Sequence, residues 1–206
     1  MKKSSIAIVV LLGCLLLIGK SSAADDPYVF FLGAVNPKMD EIQNIPIRVV
    51  AKVRDTELTN HDVMKYRILY STRSKFLSFD ETLDRLIKEE LLIQLAQEKG
   101  VIATLEESIE MARQARQSLY EQDPETIEAH HRFLELAGIS EDQYWNEIVP
   151  AGYQRGVTIE RLTSILLMEG ELKFDPDEPN AYDRALLRYQ NELYQQRARS
   201  DVILYQ

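Results

Sequence analysis

A mainly α-helical domain with a small β element is the fold class this sequence predicts. Three observations carry that expectation. Thr59, Ser78 and Thr104 are each followed three residues later by an acidic residue and then by an apolar-periodic run, the local signature of a capped helix start. Gly100 and Gly138 close two of these runs, where a left-handed C-terminal cap favours glycine. Two short β-branched runs, Arg48–Val53 and Asp201–Tyr205, lie at opposite ends of the helical pattern. A lone strand needs a partner, so the strand at about 48–53 is expected to pair with the strand at about 201–205.

The elements follow in order. Val49, Ala51 and Val53 alternate with Arg48, Val50 and Lys52, which fits a half-buried strand. Arg54-Asp55 then turns the chain toward Glu57-Leu58. A two-residue hairpin favours Asn-Gly or Asp-Gly, so a loose hairpin is expected here. Thr59 with Asp62 opens the first long helix. Ser78 with Glu81 opens the second, whose stripe Leu83, Leu86, Ile87, Leu91 and Leu95 is widened by Leu92 and Ile93. So broad a stripe belongs to a central helix contacted on more than one side.

Thr104 with Glu107 opens a third helix with a thin apolar face of Ile109, Ala112 and Leu119. Asp123-Pro124 starts a fourth, with proline at the first turn, and Gly138 ends it. Ser140 with Gln143 opens a fifth, running to Met168. Pro150, Gly152 and Gly156 predict a kink or break near Pro150. Residues 169–180 are a polar connection containing Pro176 and Pro179. A last helix follows over 181–199, with Leu186, Tyr189, Leu193 and Arg197 on one side.

The N-terminus reads as an export signal. Met1-Lys2-Lys3 is a short positive region, Ile6 to Ile18 is uncharged and mostly apolar, and small residues surround Ala23. The apolar run falls short of the roughly 20 residues a spanning helix needs. Cleavage after Ala23 is the expected form, leaving 24–47 as a linker and 48–206 as the helical domain. Cys14 keeps two alternatives open. Leu11-Leu12-Gly13-Cys14 resembles a lipobox, with leucine two places before the cysteine as a mismatch, and an uncleaved anchor is the third form. Each places the domain outside the cytoplasm, secreted or attached to the outer face of the cell membrane.

The 206 residues carry a formal net charge of −9. A basic face is what nucleic-acid binding needs, so that class is set aside. Cys14 is the one cysteine, which excludes an intrachain disulfide. No Ser-His-Asp order, glycine-rich phosphate loop or HExxH is present, and no cofactor motif. His130-His131 invites a metal, but neighbours on a helix point about 100° apart, so no metal site is expected and both are read as solvent-exposed or interface side chains. Asp175, Asp177 and Glu178 lack the glycine and distal glutamate of a calcium loop.

Three quoted stretches resemble one known family. They are VAKV-turn-ELT at 50–59, LDRLIKEELLIQLAQEKGVIATLEE at 83–107, and FLELAGISEDQYWNEI at 133–148. Together they resemble the N-terminal chaperone domain of the SurA and PrsA family of exported foldases. The likeness covers roughly residues 49–167. It implies a peptide-holding body, completed by a helix and strand that return after one or two parvulin prolyl-isomerase domains. Residues 181–205 look like that returning piece. A parvulin domain takes on the order of 90 residues, and the connection after Met168 is about a dozen. The chain thus departs from the family where the enzyme would stand.

The resulting expectation is a non-catalytic chaperone-type domain for unfolded or exported polypeptides, touching a membrane surface through its N-terminus if a lipid or anchor is retained. A dedicated cell-surface assembly module with one fixed partner is the alternative, and membership of a prolyl-isomerase system a third reading. Methionine and aromatic surfaces adapt to varied apolar partners. Met64, Ile68, Met111, Tyr120, Tyr144, Trp145 and Met168 are therefore the candidate client-binding residues, with core packing as the competing role for most of them.

Overall fold

The computed structural model describes residues 38–70, 77–174 and 180–205. The signal-type segment with Cys14 and Ala23 and the acidic residues 175, 177 and 178 lie outside them. The described chain is mainly helical with one three-stranded antiparallel sheet. In chain order it comprises α1 (Met39–Ile42), β1 (Val49–Val53), β2 (Thr56–Thr59), α2 (Asn60–Tyr70), α3 (Phe79–Glu98), α4 (Leu105–Tyr120), α5 (Pro124–Ala137), α6 (Glu141–Gln143), a π turn (Tyr144–Ile148), α7 (Val149–Met168), α8 (Ala181–Asp201) and β3 (Val202–Leu204). Contacts gather the described residues into two compact units, where the sequence leads to one domain over 48–206.

The first unit takes residues 38–46, 64–70, 77–78 and 104–154. Its core joins Met39, Ile42, Ile68, Ala112, Leu119, Leu134, Ala137, Ile139, Tyr144, Trp145, Val149 and Tyr153. Met39 and Ile42 belong to a stretch read from sequence as linker. One turn of helix, α1, buries both of them, and the Lys38 N–H donates to Glu41 Oε2 at 3.0 Å at its start. The α4 capping box forms as expected: the Glu107 N–H donates to Thr104 Oγ1 at 3.2 Å, and the Thr104 N–H to Glu107 Oε2 at 2.9 Å. Ile109 does not join the buried face of α4. It is half exposed, and Ser108, Ala112 and Leu119 face inward instead.

At Pro150 the helix is not broken. Proline lacks the N–H of an α-helical bond. The turn just before it widens to the π pattern, in which the Val149 N–H donates to Tyr144 O, and α7 then continues through Gly152 and Gly156. Inserting one residue in this way is how the helix passes the residues expected to interrupt it.

The second unit takes Ile47–Val63, Phe79–Ala103 and the described part of Arg155–Gln206. Its sheet has the order β2-β1-β3. Val53 faces Thr56 across a two-residue turn, and a register shift between Val49 and Ala51 marks a bulge at Val50. The bulge explains why Ala51 and Val53 are fully buried while Val49 is only half-buried. The expected end-to-end pairing is present: Ala51, Lys52 and Val53 face Leu204, Ile203 and Val202.

Helix α3 packs on β1 and β2, and α8 packs on α3. Burial along α3 runs through Leu86, Ile87, Leu91, Leu92, Leu95 and Ala96, the broad surface its stripe predicts. Three polar residues, Thr82, Glu90 and Gln94, are buried within it. Gln94 Nε2 donates to Val53 O at 2.7 Å, and Thr56 Oγ1 donates to Glu90 Oε1 at 2.9 Å. Both tie the helix to the hairpin through atoms that would otherwise be desolvated without partners. Val101 N–H donates to Ala96 O at 2.9 Å beyond the end of α3, with Gly100 at φ +70°.

The two cap glycines differ in surroundings. A Cβ on Gly100 would meet nothing within 4 Å, whereas one on Gly138 would lie 2.9 Å from Asp40 Cγ and 3.2 Å from Lys38 Cβ. Gly100→Ala should therefore cost only the left-handed backbone, about 1–2 kcal/mol. Gly138→Ala should cost more, and Asp40→Ala in the same chain should recover part of the excess. Urea unfolding of the three variants checks this; equal losses at both glycines would contradict the close approach.

Candidate functional site

The residues singled out from sequence divide sharply. Ile68, Tyr144 and Trp145 are buried in the core of the first unit, and Met64 and Met111 pack against it half-buried. The packing role, rather than a groove lining, accounts for Ile68, Tyr144 and Trp145. Tyr120 at 43% and Met168 at 78% are exposed. Met168 belongs to the second unit and the other six to the first. The seven therefore do not form one apolar groove within a unit.

Inside the first unit, a polar cluster gathers on Glu141, the first residue of α6 after its Ser140 cap. Tyr120 Oη donates to Glu141 Oε1 at 2.9 Å. His130 Nε2 and His131 Nε2 stand 3.4 and 3.3 Å from the same oxygen, and Arg116 Nη2 stands 4.0 Å from Oε2. The two histidines thus diverge on α5 yet converge on one carboxylate. His131 is exposed, but His130 is fully buried inside the unit, where the sequence reading made both solvent-exposed or interface side chains. Its ring sits 5.0 Å from that of Tyr144 and 5.6 Å from that of Trp145.

His130 Nδ1 and Nε2, Glu141 Oε2 and Trp145 Nε1 are buried with no hydrogen bond to any described residue. Burial holds the His130 pKa below its ordinary value, against the opposing pull of Glu141. Among the described residues no group of His, Cys, Asp and Glu has the arrangement of a metal site.

The second unit carries a different polar device. Arg54 and Arg197 both bind Glu98, at the end of α3; the Arg197 fork reaches Glu98 Oε1 and Oε2 at 3.0 and 2.9 Å. Arg54 also lies 3.9 Å from Asp201 Oδ2, and its N–H donates to Asp201 O at 2.7 Å. Arg54 takes φ +50°, so the Arg54-Asp55 turn is tight rather than loose. Side-chain and main-chain contacts from one arginine offset a conformation that few non-glycine residues adopt.

The Arg197 hydrogen bond, with help from Arg54, lowers the Glu98 pKa. A second ionic group sits nearby in sequence: Lys99 binds Glu169 and Glu171, and Tyr189 Oη donates to Glu171 Oε2 at 3.1 Å. Burial and the Glu171 bond push the Tyr189 phenol up to about 12. These groups are paired, so they hold structure and leave no free acid or base.

The clasp meets the chain at Asp201, directly before β3. Ile203, Leu204 and Tyr205 are 53%, 59% and 46% exposed, three large apolar side chains in succession. Among the described residues no strand pairs with the other side of β3. Two clefts in this unit, about 280 and 320 Å³, are lined mainly by polar side chains such as Glu171, Arg188 and Glu192 in one and Arg54, Gln94 and Glu98 in the other. Large apolar side chains are exposed on the strand, and in the same unit also at Ile47, Met168 and Leu187. Elsewhere Leu105 and Ile109 form an exposed i,i+4 pair on α4.

Two outcomes test these assignments. Between pH 7.5 and 5 thermal stability should fall, because the unfolded chain protonates His130 near pH 6.5 while the folded chain resists until lower pH. That contribution is complete above about pH 6.5 and is lost as pH falls toward the folded-state value. His130→Leu should lose less Tm over that range, by a few degrees; identical pH slopes would remove His130 as the source. Glu98→Gln should leave Tm nearly unchanged, since surface pairs contribute at most about 1 kcal/mol. It should speed amide exchange at Arg54 and Tyr205 roughly two- to fivefold, less so in high salt. No change at either amide would show that the clasp does not hold β3.

Among the described residues no helix is long and apolar enough to cross a membrane. No protein-family model matches the chain, and no curated protein matches it.

Proposed function

We propose that this protein is a non-catalytic, extracytoplasmic chaperone-type module that holds extended or partly folded polypeptides, built on the plan of the SurA and PrsA foldases without their isomerase. The observation that carries the reading is the run of exposed apolar residues Ile203, Leu204 and Tyr205 on a sheet edge adjoining ionic contacts. An exposed apolar surface on a well-packed unit is the usual mark of an interaction site. The β1–β3 pairing supports the family plan, since a returning helix and strand are what that plan calls for. Net charge −9 favours neutral or basic clients over acidic ones.

Holding requires no covalent step and no nucleotide. A client's apolar side chains leave water on binding, at roughly 25 cal/mol per Å², and the entropy of ordering both partners keeps the complex weak and reversible. The expected result is suppression of aggregation of a chemically denatured test protein at near-stoichiometric ratios, followed by light scattering, and no acceleration in a protease-coupled proline isomerisation assay. Absence of both aggregation suppression and peptide binding would overturn the proposal. Recovery of one stoichiometric partner in place of many weak clients would replace it with the fixed-partner assembly module.

A further inference from the structure

The direction of the β3 main-chain groups specifies what its exposed edge can take. Arg54 N–H donates to Asp201 O, and Tyr205 N–H donates to Val50 O at 3.0 Å. In an antiparallel pair, hydrogen-bonded and non-hydrogen-bonded residue pairs alternate. With Val53 opposite Val202 and Ala51 opposite Leu204, residues 201, 203 and 205 direct their main-chain groups at β1. Those of Val202 and Leu204 point away from it, along the outer edge.

Edge strands are ordinarily protected by short length, which three-residue β3 has, or by charge, proline, a bulge or cover. From Val202 to Tyr205 there is no charged residue and no proline. The opposite edge, β2, has such protection: it carries Glu57, and its Thr56 hydroxyl is engaged with Glu90.

Resting on the polypeptide-holding reading above, we propose that β3 captures its client by strand addition. An extended, apolar, neutral or basic segment lies along the outer edge and exchanges main-chain hydrogen bonds with Leu204 N–H, Leu204 C=O and Val202 C=O. Only an extended backbone offers donors and acceptors in that alternation, so the occupant is a polypeptide strand rather than a lipid or small molecule. Leu204 lies on the face of the sheet that carries Ala51 and Val53, and Ile203 and Tyr205 lie on the other. Client side chains of both alternations therefore meet an apolar neighbour. With only a few main-chain groups engaged, binding is sequence-tolerant and short-lived.

The test uses the full chain and a fluorescent heptapeptide alternating valine and threonine between two lysines. Proline at 204 deletes the outward N–H and leaves the β1 hydrogen bonds, a position where edge strands accept it. Leu204→Pro should weaken binding at least tenfold, and Leu204→Ala no more than about threefold. Hydrogen exchange on the wild type is the second readout, independent of how the proline variant folds: saturating peptide should slow the Leu204 amide at least tenfold and leave Arg54 unchanged.

Equal losses in both variants with no protection at Leu204 would overturn strand addition while leaving polypeptide holding intact. Absence of peptide binding and of aggregation suppression by the wild type would overturn both. A wild-type dimer that Leu204→Pro converts to monomer, with the Leu204 amide protected without peptide, would assign the edge to a second copy of the chain and overturn the client.

Discussion

Strand β1 has to satisfy its main-chain groups on both sides, and this requirement shapes the second unit. β2 meets it on one side through a two-residue turn, and β3 meets it on the other from the far end of the described chain. The sheet is too small to stand alone, and α3 covers it. Leu91 and Leu92 are fully buried on that helix, and Gln94 reaches across to the Val53 carbonyl. Closing the sheet with residues so distant in sequence carries a loop-closure cost that grows only slowly with length. Apolar burial and the Glu98 clasp act against it at the point where β3 begins.

A central strand is silent once both neighbours are in place, whereas β3 has no partner on its other side among the described residues. In β3 that side is apolar and uncharged, without the charge that protects many edges. The first unit has a different character. Its mostly aliphatic core includes Tyr144 and Trp145, which lie against a buried imidazole whose neutral form burial favours. Glu141 gathers Tyr120, both histidines and Arg116 at the start of α6, where the helix dipole favours a carboxylate.

Helix starts were legible because capping is local. The Thr59–Asp62, Thr104–Glu107, Asp123–Thr126 and Ser140–Gln143 contacts all span three residues, and each forms. The β1–β3 pairing was legible by elimination, since the run at 201–205 needed a partner and the run at 49–53 was the clear free one. The candidate site was legible only in part. Trp145 and Tyr144 have the composition of a binding surface, yet fall on the inner side of a π turn that sequence periodicity does not foresee. One extra residue per turn rotates every later side chain by about 100°. The Arg54–Glu98–Arg197 clasp was not legible, because ion pairs between residues far apart leave no periodic trace.

By itself the sequence determined the helical class, most element boundaries and the β1–β3 pairing, because those follow from contacts a few residues long and from unpaired polar backbone. Tertiary structure decided which apolar side chains are covered. It turned Ile68, Tyr144 and Trp145 inward, buried His130 beside Glu141, and left Ile203, Leu204 and Tyr205 in water. Burial is a property of what packs against a residue from elsewhere in the chain, and an apolar side chain has the same hydrophobicity whether or not a neighbour arrives to cover it.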